Sequence, residues 1–145
     1  MAGEAGADAG NAQAPRQFSI RRVILRRMGF DAPIVPDNGT HRIDWDNVDV
    51  RTQREARRVA ADRYELGLTL YVHVTTDSGT AVQVTVEEVG TFRIDGYAED
   101  EALQLLRTKG AEQVYPYARE VLLSLVGRAG LQNFGLKPLG FDLPD

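Results

Sequence analysis

The segment from Val114 to Arg128 is apolar over more of its circumference than a helix needs to pack on one neighbour. Plotted at about 100° per residue, its apolar side chains form one continuous arc. The arc consists of Val114, Tyr115, Ala118, Val121, Leu122, Leu125 and Val126, and Leu123 widens it. A helix that covers a single core needs a stripe of roughly 100°. We therefore expect this helix, with Arg119 set inside its arc, to be covered on two sides, the second cover being another copy of the chain.

The composition is that of a soluble protein with one domain. The chain has 145 residues, of which 43% are hydrophobic and 26% are charged, which is enough for one modest core. A net charge of −4 gives no general support for nucleic-acid binding, and the absence of cysteine excludes disulfides and thiolate metal sites. No apolar run approaches the ~20 residues of a membrane span, so we expect a cytoplasmic protein without membrane insertion.

The first 15 residues are rich in alanine and glycine and lack aromatic and branched apolar side chains. Such a segment cannot bury enough apolar surface to offset the conformational entropy lost on ordering. We expect residues 1–15 to be a disordered tail and residues 16–145 to form the single domain.

The most regular alternation lies between Tyr64 and Thr75, where the even positions are apolar and most odd positions are polar. A period of two predicts a half-buried antiparallel strand. A turn at 77–79 should lead into a second strand that begins near Val82. Gly90 is predicted to turn the chain once more, into a strand that contains Phe92 and Ile94.

Two other strands are less regular. Phe18–Phe30 has apolar residues of one parity, interrupted by Arg22 and Arg26. Val48–Arg58 begins with alternation and then becomes polar, which predicts a strand with an irregular or bulged middle. The loop between these strands carries the only tryptophan, Trp45, which either packs under the loop or lines an apolar groove.

The helical part is predicted to consist of two helices. Glu99 or Asp100 can cap a short first helix, which Lys109–Gly110 should break. Pro116 is tolerated in the first turn of the second helix, where amides lack intrahelical partners. This long helix should end near Ala129.

The sequence shows no pattern that predicts catalysis. His41 and His73 stand far apart without metal-ligand spacing around them, and no nucleophile elbow, phosphate loop or dinucleotide motif is present. Glu87–Glu88 is more typical of a solvated face than of an acid–base pair. We expect a protein that is not an enzyme and needs no cofactor.

Three segments resemble the SecB family of bacterial chaperones, which keep precursors unfolded for export. They are Tyr115–Glu120 (YPYARE), Gly127–Gly130 (GRAG) and Leu136–Asp142 (LKPLGFD), and the resemblance extends back to Phe18. It implies an α+β fold: a four-stranded antiparallel sheet with one long helix on one face and a short or absent C-terminal helix. It further implies an ATP-independent holdase that binds unfolded polypeptides as a homotetramer, a dimer of dimers.

The resemblance also implies two sets of functional residues. The client-binding positions are Trp45, Val48, Val50, Phe92, Ile94 and Phe141. The oligomer-interface positions are Tyr117, Arg119, Glu120 and Leu122.

A third implied contact is with the ATPase SecA, which the family docks through acidic residues. The candidates here are Asp31, Glu87 and Glu88. Other matching positions differ from the family, because the chain has Arg27, Gln83 and Thr85 there. Delivery of precursors for export and dedicated service to an antitoxin in a toxin–antitoxin–chaperone system therefore both remain open.

A remote alternative is a nucleic-acid-binding regulator that would use the arginines of the first strand. These residues are Arg21, Arg22, Arg26 and Arg27.

Overall fold

The computed structural model describes residues 15–32, 41–42, 48–76, 79–129 and 131–132. The described strands are β1 (Gln17–Asp31), β2 (His41–Arg42), β3 (Val48–Ala60), β4 (Arg63–Thr76), β5 (Gly79–Asp95) and β6 (Leu131–Gln132). The helical elements are α1 (Glu99–Leu105), a π-helical segment (Leu106–Gly110) and α2 (Ala111–Arg128). All of the predicted tail except Pro15, together with Trp45, Phe141 and most of the segment after α2, lies outside the described residues.

The long strands form one antiparallel sheet in the order β1-β5-β4-β3. The predicted α+β fold, a four-stranded sheet with a long helix on one face, is confirmed. β2 and β6 form a separate parallel pair, which joins the segment before β3 to the segment after α2. None of the described helices combines the length and apolarity that a bilayer crossing requires.

The core lies between the sheet and the helix. The even residues of β4, from Tyr64 to Val74, are all buried, as are Val82, Val84 and Val86 of β5. The odd residues of both strands point to the other face, which we call the outer face. The alternation of period two therefore predicted correctly which side of β4 is covered.

Gly90 does not turn the chain, because β5 continues without interruption from Gly79 to Asp95. Its role is to provide space. A Cβ atom at this position would lie 2.6 Å from Val114 Cγ2 and 2.9 Å from Phe92 Cε1. The missing side chain lets the helix approach the middle of β5.

β1 departs from a single parity because it contains two irregularities, between Ile20 and Arg22 and between Leu25 and Arg27. Extra residues of this kind shift the following side chains to the opposite face. Leu25 consequently lies opposite Glu88 on the helix side, whereas Ile24 lies opposite Val89 on the outer face. The single parity of the apolar residues in this strand therefore does not place them all on one face of the sheet, and Ile24 faces away from Phe18.

β3 is regular where an irregular middle was predicted, and its one register shift lies near the end, between Arg58 and Ala60. Two arginines occupy its helix-facing side. Arg54 Nη1 donates to the backbone oxygen of Arg107 at 2.7 Å, and Arg58 Nη1 lies 2.8 Å from Glu99 Oε1. The polar run is thus compatible with a straight strand, because long arginine side chains can reach polar groups on the helix.

The two predicted helices are one continuous helical run from Glu99 to Arg128. Ala98 precedes it without a side-chain cap, so the predicted acidic cap is wrong. Gly110 has helical angles, φ −61° and ψ −43°, and does not break the run. A Cβ there would lie 3.0 Å from Leu106 Cδ1 and 3.4 Å from Phe92 Cζ. Pro116 consequently lies inside the helix and not in its first turn.

The wide apolar arc of α2 is confirmed, and only its centre is fully covered. The buried residues are Ala111, Val114, Tyr115, Ala118, Leu122 and Val126. Val121 and Leu123 on its flanks are half-buried, as is Leu125 in the last turns of the helix. The remaining side of the helix is exposed, at Pro116, Glu120, Ser124 and Arg128. The helix ends at Arg128, within one residue of the predicted Ala129.

The contact at Gly90 predicts a specific loss of stability. Replacement of Gly90 by Ala should lower the free energy of unfolding by about 1–3 kcal/mol, because the added methyl group must displace Val114 or the Phe92 ring. Denaturant titration at fixed protein concentration measures this change. Gly127→Ala is the matched control, since nothing lies within 4 Å of a Cβ there. The control should be neutral or more stable by up to about 1 kcal/mol, and equal losses in both variants would contradict the packing role of Gly90.

Candidate functional site

The predicted client-binding residues divide into core and edge positions. Phe92 is 0% exposed and Ile94 is 3% exposed, and the Phe92 ring packs 5.3 Å from that of Phe18. A client cannot reach either residue while the helix covers them, so we assign both to the core. Val48 and Val50 are half-buried on the helix-facing side of β3, where they border the core cluster. The structure thus keeps these two valines as accessible candidates.

The opposite edge of the sheet carries uncovered apolar side chains. Leu25, Met28 and Phe30 of β1 are 43%, 50% and 40% exposed. Met28 lies opposite Val86 and Phe30 lies opposite Val84, and both valines are buried. These β1 residues therefore extend the apolar face of the sheet beyond the part that the helix covers.

The site residues predicted from the sequence include none of this β1 group. Its apolar residues stand among arginines. The first irregularity places Leu25 on the helix side of the sheet, and the second returns Met28 and Phe30 to that side. The available signal was that large apolar side chains recur along this strand although arginines stand between them.

The predicted interface residues on α2 occupy different environments. Tyr117 is 50% exposed and Glu120 is exposed, whereas Arg119 is half-buried. Leu122 is 0% exposed and belongs to the core, so it cannot contact another subunit in this conformation. Of the four, Tyr117 is the apolar side chain that is available to a partner.

Arg119 is electrostatically linked to a buried tyrosine one helical turn before it. Burial raises the pKa of the Tyr115 hydroxyl, and the positive charge of Arg119 opposes part of that rise. The arginine embedded in the apolar arc thus interacts with a neighbour inside the protomer, and its predicted interface role remains a prediction.

The predicted SecA-contact residues lie on two faces of the sheet. Asp31 lies opposite Gln83, and Arg27 lies opposite Glu87, all on the outer face. The Nε atom of Arg27 is 3.5 Å from Glu87 Oε1. Thr85 is half-buried in the same face. The outer face in this region thus combines acidic, basic and neutral side chains.

Glu88 points to the other face, towards the helix, and is 4% exposed. It lies between Leu25 of β1 and Leu68 of β4. Its carboxyl group is therefore withdrawn from any partner that docks on the outer face. The Glu87–Glu88 dipeptide lies within β5 and does not act as one acidic pair.

Burial is the main cause of a raised pKa for the Glu88 carboxyl, and the negative charge of Glu120 adds to the rise. A carboxyl whose pKa is higher in the folded than in the unfolded state is stabilised in its protonated form. Its contribution to stability is therefore present at low pH and is lost as the pH rises through the folded-state pKa.

The described residues offer no metal site, because no three of their histidine and acidic side chains cluster suitably. The accessible features are apolar edges and charged outer-face groups. Such surfaces can bind another polypeptide.

The position of Glu88 predicts a pH-dependent effect on stability. Glu88→Gln should make the protein more stable than the parent at pH 7–8, because it removes a buried charge, and this advantage should shrink as the pH falls towards the range in which Glu88 is protonated. Denaturant titrations from pH 8 down into the range in which Glu88 is protonated test the prediction. Glu55→Gln, on the exposed side of β3, is the control and should show no such trend. A constant difference between parent and Glu88→Gln at all pH values would contradict the prediction.

The chain is similar to known proteins over most of its length. A family model described as preprotein translocase subunit SecB matches residues 11–143. The protein-export protein SecB of Hahella chejuensis is 30% identical over 137 residues, covering 91% of this chain and 84% of that protein. The protein-export protein SecB of Stutzerimonas stutzeri is 35% identical over 146 residues, covering 98% and 85% respectively.

A solved structure has a similar fold. It is a SecB-like chaperone of Mycobacterium tuberculosis in complex with a peptide from an antitoxin, and it superimposes with a TM-score of 0.66 at 19% identity, covering 85% of this chain and 91% of that one. The match of the family model over residues 11–143, together with the two export proteins, establishes that the chain belongs to the SecB family.

Proposed function

We propose that this chain is a holdase chaperone for protein export, which binds non-native polypeptides without ATP. The observation that carries the proposal is membership of the SecB family over nearly the whole chain. The structure supports it through the sheet, whose apolar face extends past the helix at β1 and at the start of β3. Uncovered apolar side chains are the surface to which an unfolded chain can bind.

The client is proposed to bind beside the helix, at the edge formed by β3. Val48 and Val50 lie there on the helix-facing side, next to the buried residues Val72 and Val74 of β4. Trp45 and Phe141 remain proposed contacts outside the described residues. Phe92 and Ile94 would support the groove from within the core.

Energetic considerations favour grooves that continue across subunits. Burial of one large apolar side chain contributes roughly 1.5–3 kcal/mol, whereas micromolar binding requires about 8 kcal/mol after association costs of about 4 kcal/mol or more. On the order of six anchors are needed, and one protomer offers fewer on its β3 edge. We therefore include in the proposal a homotetramer, a dimer of dimers, that lines up several grooves.

The proposed subunit contacts combine the β1 residues Leu25, Met28 and Phe30 with the exposed flank of α2 around Tyr117. The protomer leaves four large side chains of these surfaces 40–50% exposed: Leu25, Met28, Phe30 and Tyr117. Arg119 and Glu120 would fix the register between subunits.

The SecB family is a chaperone family, and for this member we propose no catalysis, no cofactor and a cytoplasmic location.

Export requires delivery to SecA, for which Asp31 and Glu87 on the outer face are the proposed contacts. Glu88 could take part only if its side chain left the helix-facing side.

The second candidate function, a chaperone dedicated to one antitoxin, is favoured by the outer-face residues Arg27, Gln83 and Thr85. Binding of purified SecA from the source organism would support export, and stoichiometric binding of a single antitoxin without SecA binding would support dedication.

The client site predicts the effect of a mild substitution on β3. The double variant Val48→Thr and Val50→Thr preserves side-chain shape and strand propensity, but it replaces a methyl group by a hydroxyl at each position. Affinity for an unfolded client should fall on the order of tenfold, because two apolar contacts are lost. The measurement is the suppression of aggregation of a chemically unfolded client at graded chaperone concentrations.

Val59→Thr provides the matched control, since Val59 is 52% exposed on the outer side of the same strand. It should leave aggregation suppression unchanged. If the double variant suppressed aggregation as well as the parent did, the assignment of the client site to this edge would be wrong.

The proposed assembly predicts that Tyr117→Asp shifts the oligomer towards smaller species, because a charge would enter an apolar contact. Sedimentation velocity measures the change. Tyr71→Asp is the control, since Tyr71 is 40% exposed on the outer face of β4. An unchanged mass for Tyr117→Asp would remove this flank of α2 from the interface. Leu122 is unsuitable for the test, because an aspartate in the core would unfold the protomer.

A further inference from the structure

One end of the outer face contains a groove that the proposed function does not use. Its volume is about 670 Å³, within the range of roughly 300–1,000 Å³ that is typical of ligand pockets. Four arginines from three strands contribute to its lining: Arg21 and Arg22 of β1, Arg63 of β4 and Arg93 of β5. Val59 adds an apolar side chain that is 52% exposed.

The first irregularity of β1 brings two consecutive arginines to this groove. Ile20 pairs with Phe92 and Arg22 pairs with the adjacent Thr91, so Arg21 has no residue opposite it on β5. In a regular strand, successive side chains would point to opposite faces. Here both Arg21 and Arg22 line the groove.

Three of the four arginines keep an uncompensated charge. Arg93 Nε lies 3.3 Å from Asp62 Oδ2 and 3.1 Å from Asp95 Oδ2. Glu65 also lines the groove, but its carboxylate forms an ion pair with Arg57, with 2.7 Å between Arg57 Nη2 and Glu65 Oε1. No ion pair to Arg21, Arg22 or Arg63 exists within the part of the chain that the structure describes.

A pair of like charges between β4 and β5 adds to this excess of positive charge. Arg63 lies directly opposite Arg93, and like charges in such positions destabilise a sheet. Asp62 and Asp95 compensate the charge of Arg93 but not that of Arg63. A bound carboxylate would compensate Arg63 and the β1 arginines at the same time, with the charge-assisted hydrogen bonds that guanidinium groups form well.

We propose that this groove binds an acidic segment of a partner polypeptide. Its carboxylates would contact Arg21, Arg22 and Arg63, and an apolar side chain would contact Val59. A nucleic acid fits less well, because its continuous phosphate backbone would pass the carboxylates of Asp62 and Glu65 in the groove and of Asp95 beside it. The inference is independent of the holdase function, since the groove lies on the other face of the sheet from Val48 and Val50.

The test uses a fluorescein-labelled peptide in which glutamate alternates with valine, and a second peptide in which glutamine replaces glutamate. Fluorescence anisotropy should show binding of the glutamate peptide that weakens with added salt, and no binding of the glutamine peptide. The double variant Arg22→Gln and Arg63→Gln should bind the glutamate peptide on the order of a hundredfold more weakly, because two charged contacts are lost. The double variant Arg26→Gln and Arg51→Gln removes the same charge from exposed positions outside the groove and should bind like the parent.

Three results would overturn the proposal: no binding of the glutamate peptide, an equal loss of affinity in the two double variants, or tighter binding of a single-stranded oligonucleotide that the groove variant abolishes. The last result would assign the groove to nucleic acid. Aggregation suppression by the groove variant should equal that of the parent. Failure of the peptide assay with normal suppression would therefore reject the groove alone.

Discussion

The close approach of the helix to β5 determines which strands of the described sheet are covered. Gly90 on the strand makes it possible, because a Cβ atom there would collide with Val114 and with the ring of Phe92, and Gly110 on the helix leaves room beside Leu106. Val114 can then pack directly over the backbone of β5. With the helix held over the two central strands, the edge strands β1 and β3 receive only partial cover. The apolar edges proposed for clients and subunits are a geometric result of this central contact.

The sequence predicted the layers of this fold better than their connections. Alternation in β4 and the wide arc of α2 depend on side-chain burial, which leaves a direct periodic trace. Glycine does not, because the same residue can mark a turn or provide space for a neighbour. Gly90 and Gly110 were both interpreted as breaks, and both lie inside regular elements. Only the tertiary contact with Phe92 distinguishes these two roles.

For the candidate site, too, the sequence does not show what covers an apolar residue. Apolar residues in a core and apolar residues in a binding groove look alike in a sequence, so Phe92, Ile94 and Leu122 were assigned to surfaces that they do not reach. The resemblance to the SecB family supplied positions but not exposure. The irregularities of β1 were also not predictable from its alternation, although they decide which side Leu25 faces and which arginines share a groove.

The position of β3 at the edge of the sheet has a consequence for a protein that handles unfolded chains. An exposed edge can act as a template on which another extended chain adds as a strand, which is a first step towards aggregation. After its two initial valines, this edge carries arginine at four positions, on both faces: Arg51, Arg54, Arg57 and Arg58. Their charge and bulk oppose strand addition along most of the edge. The proposed client site near Val48 and Val50 would therefore hold a client through its side chains without the chaperone seeding a growing sheet.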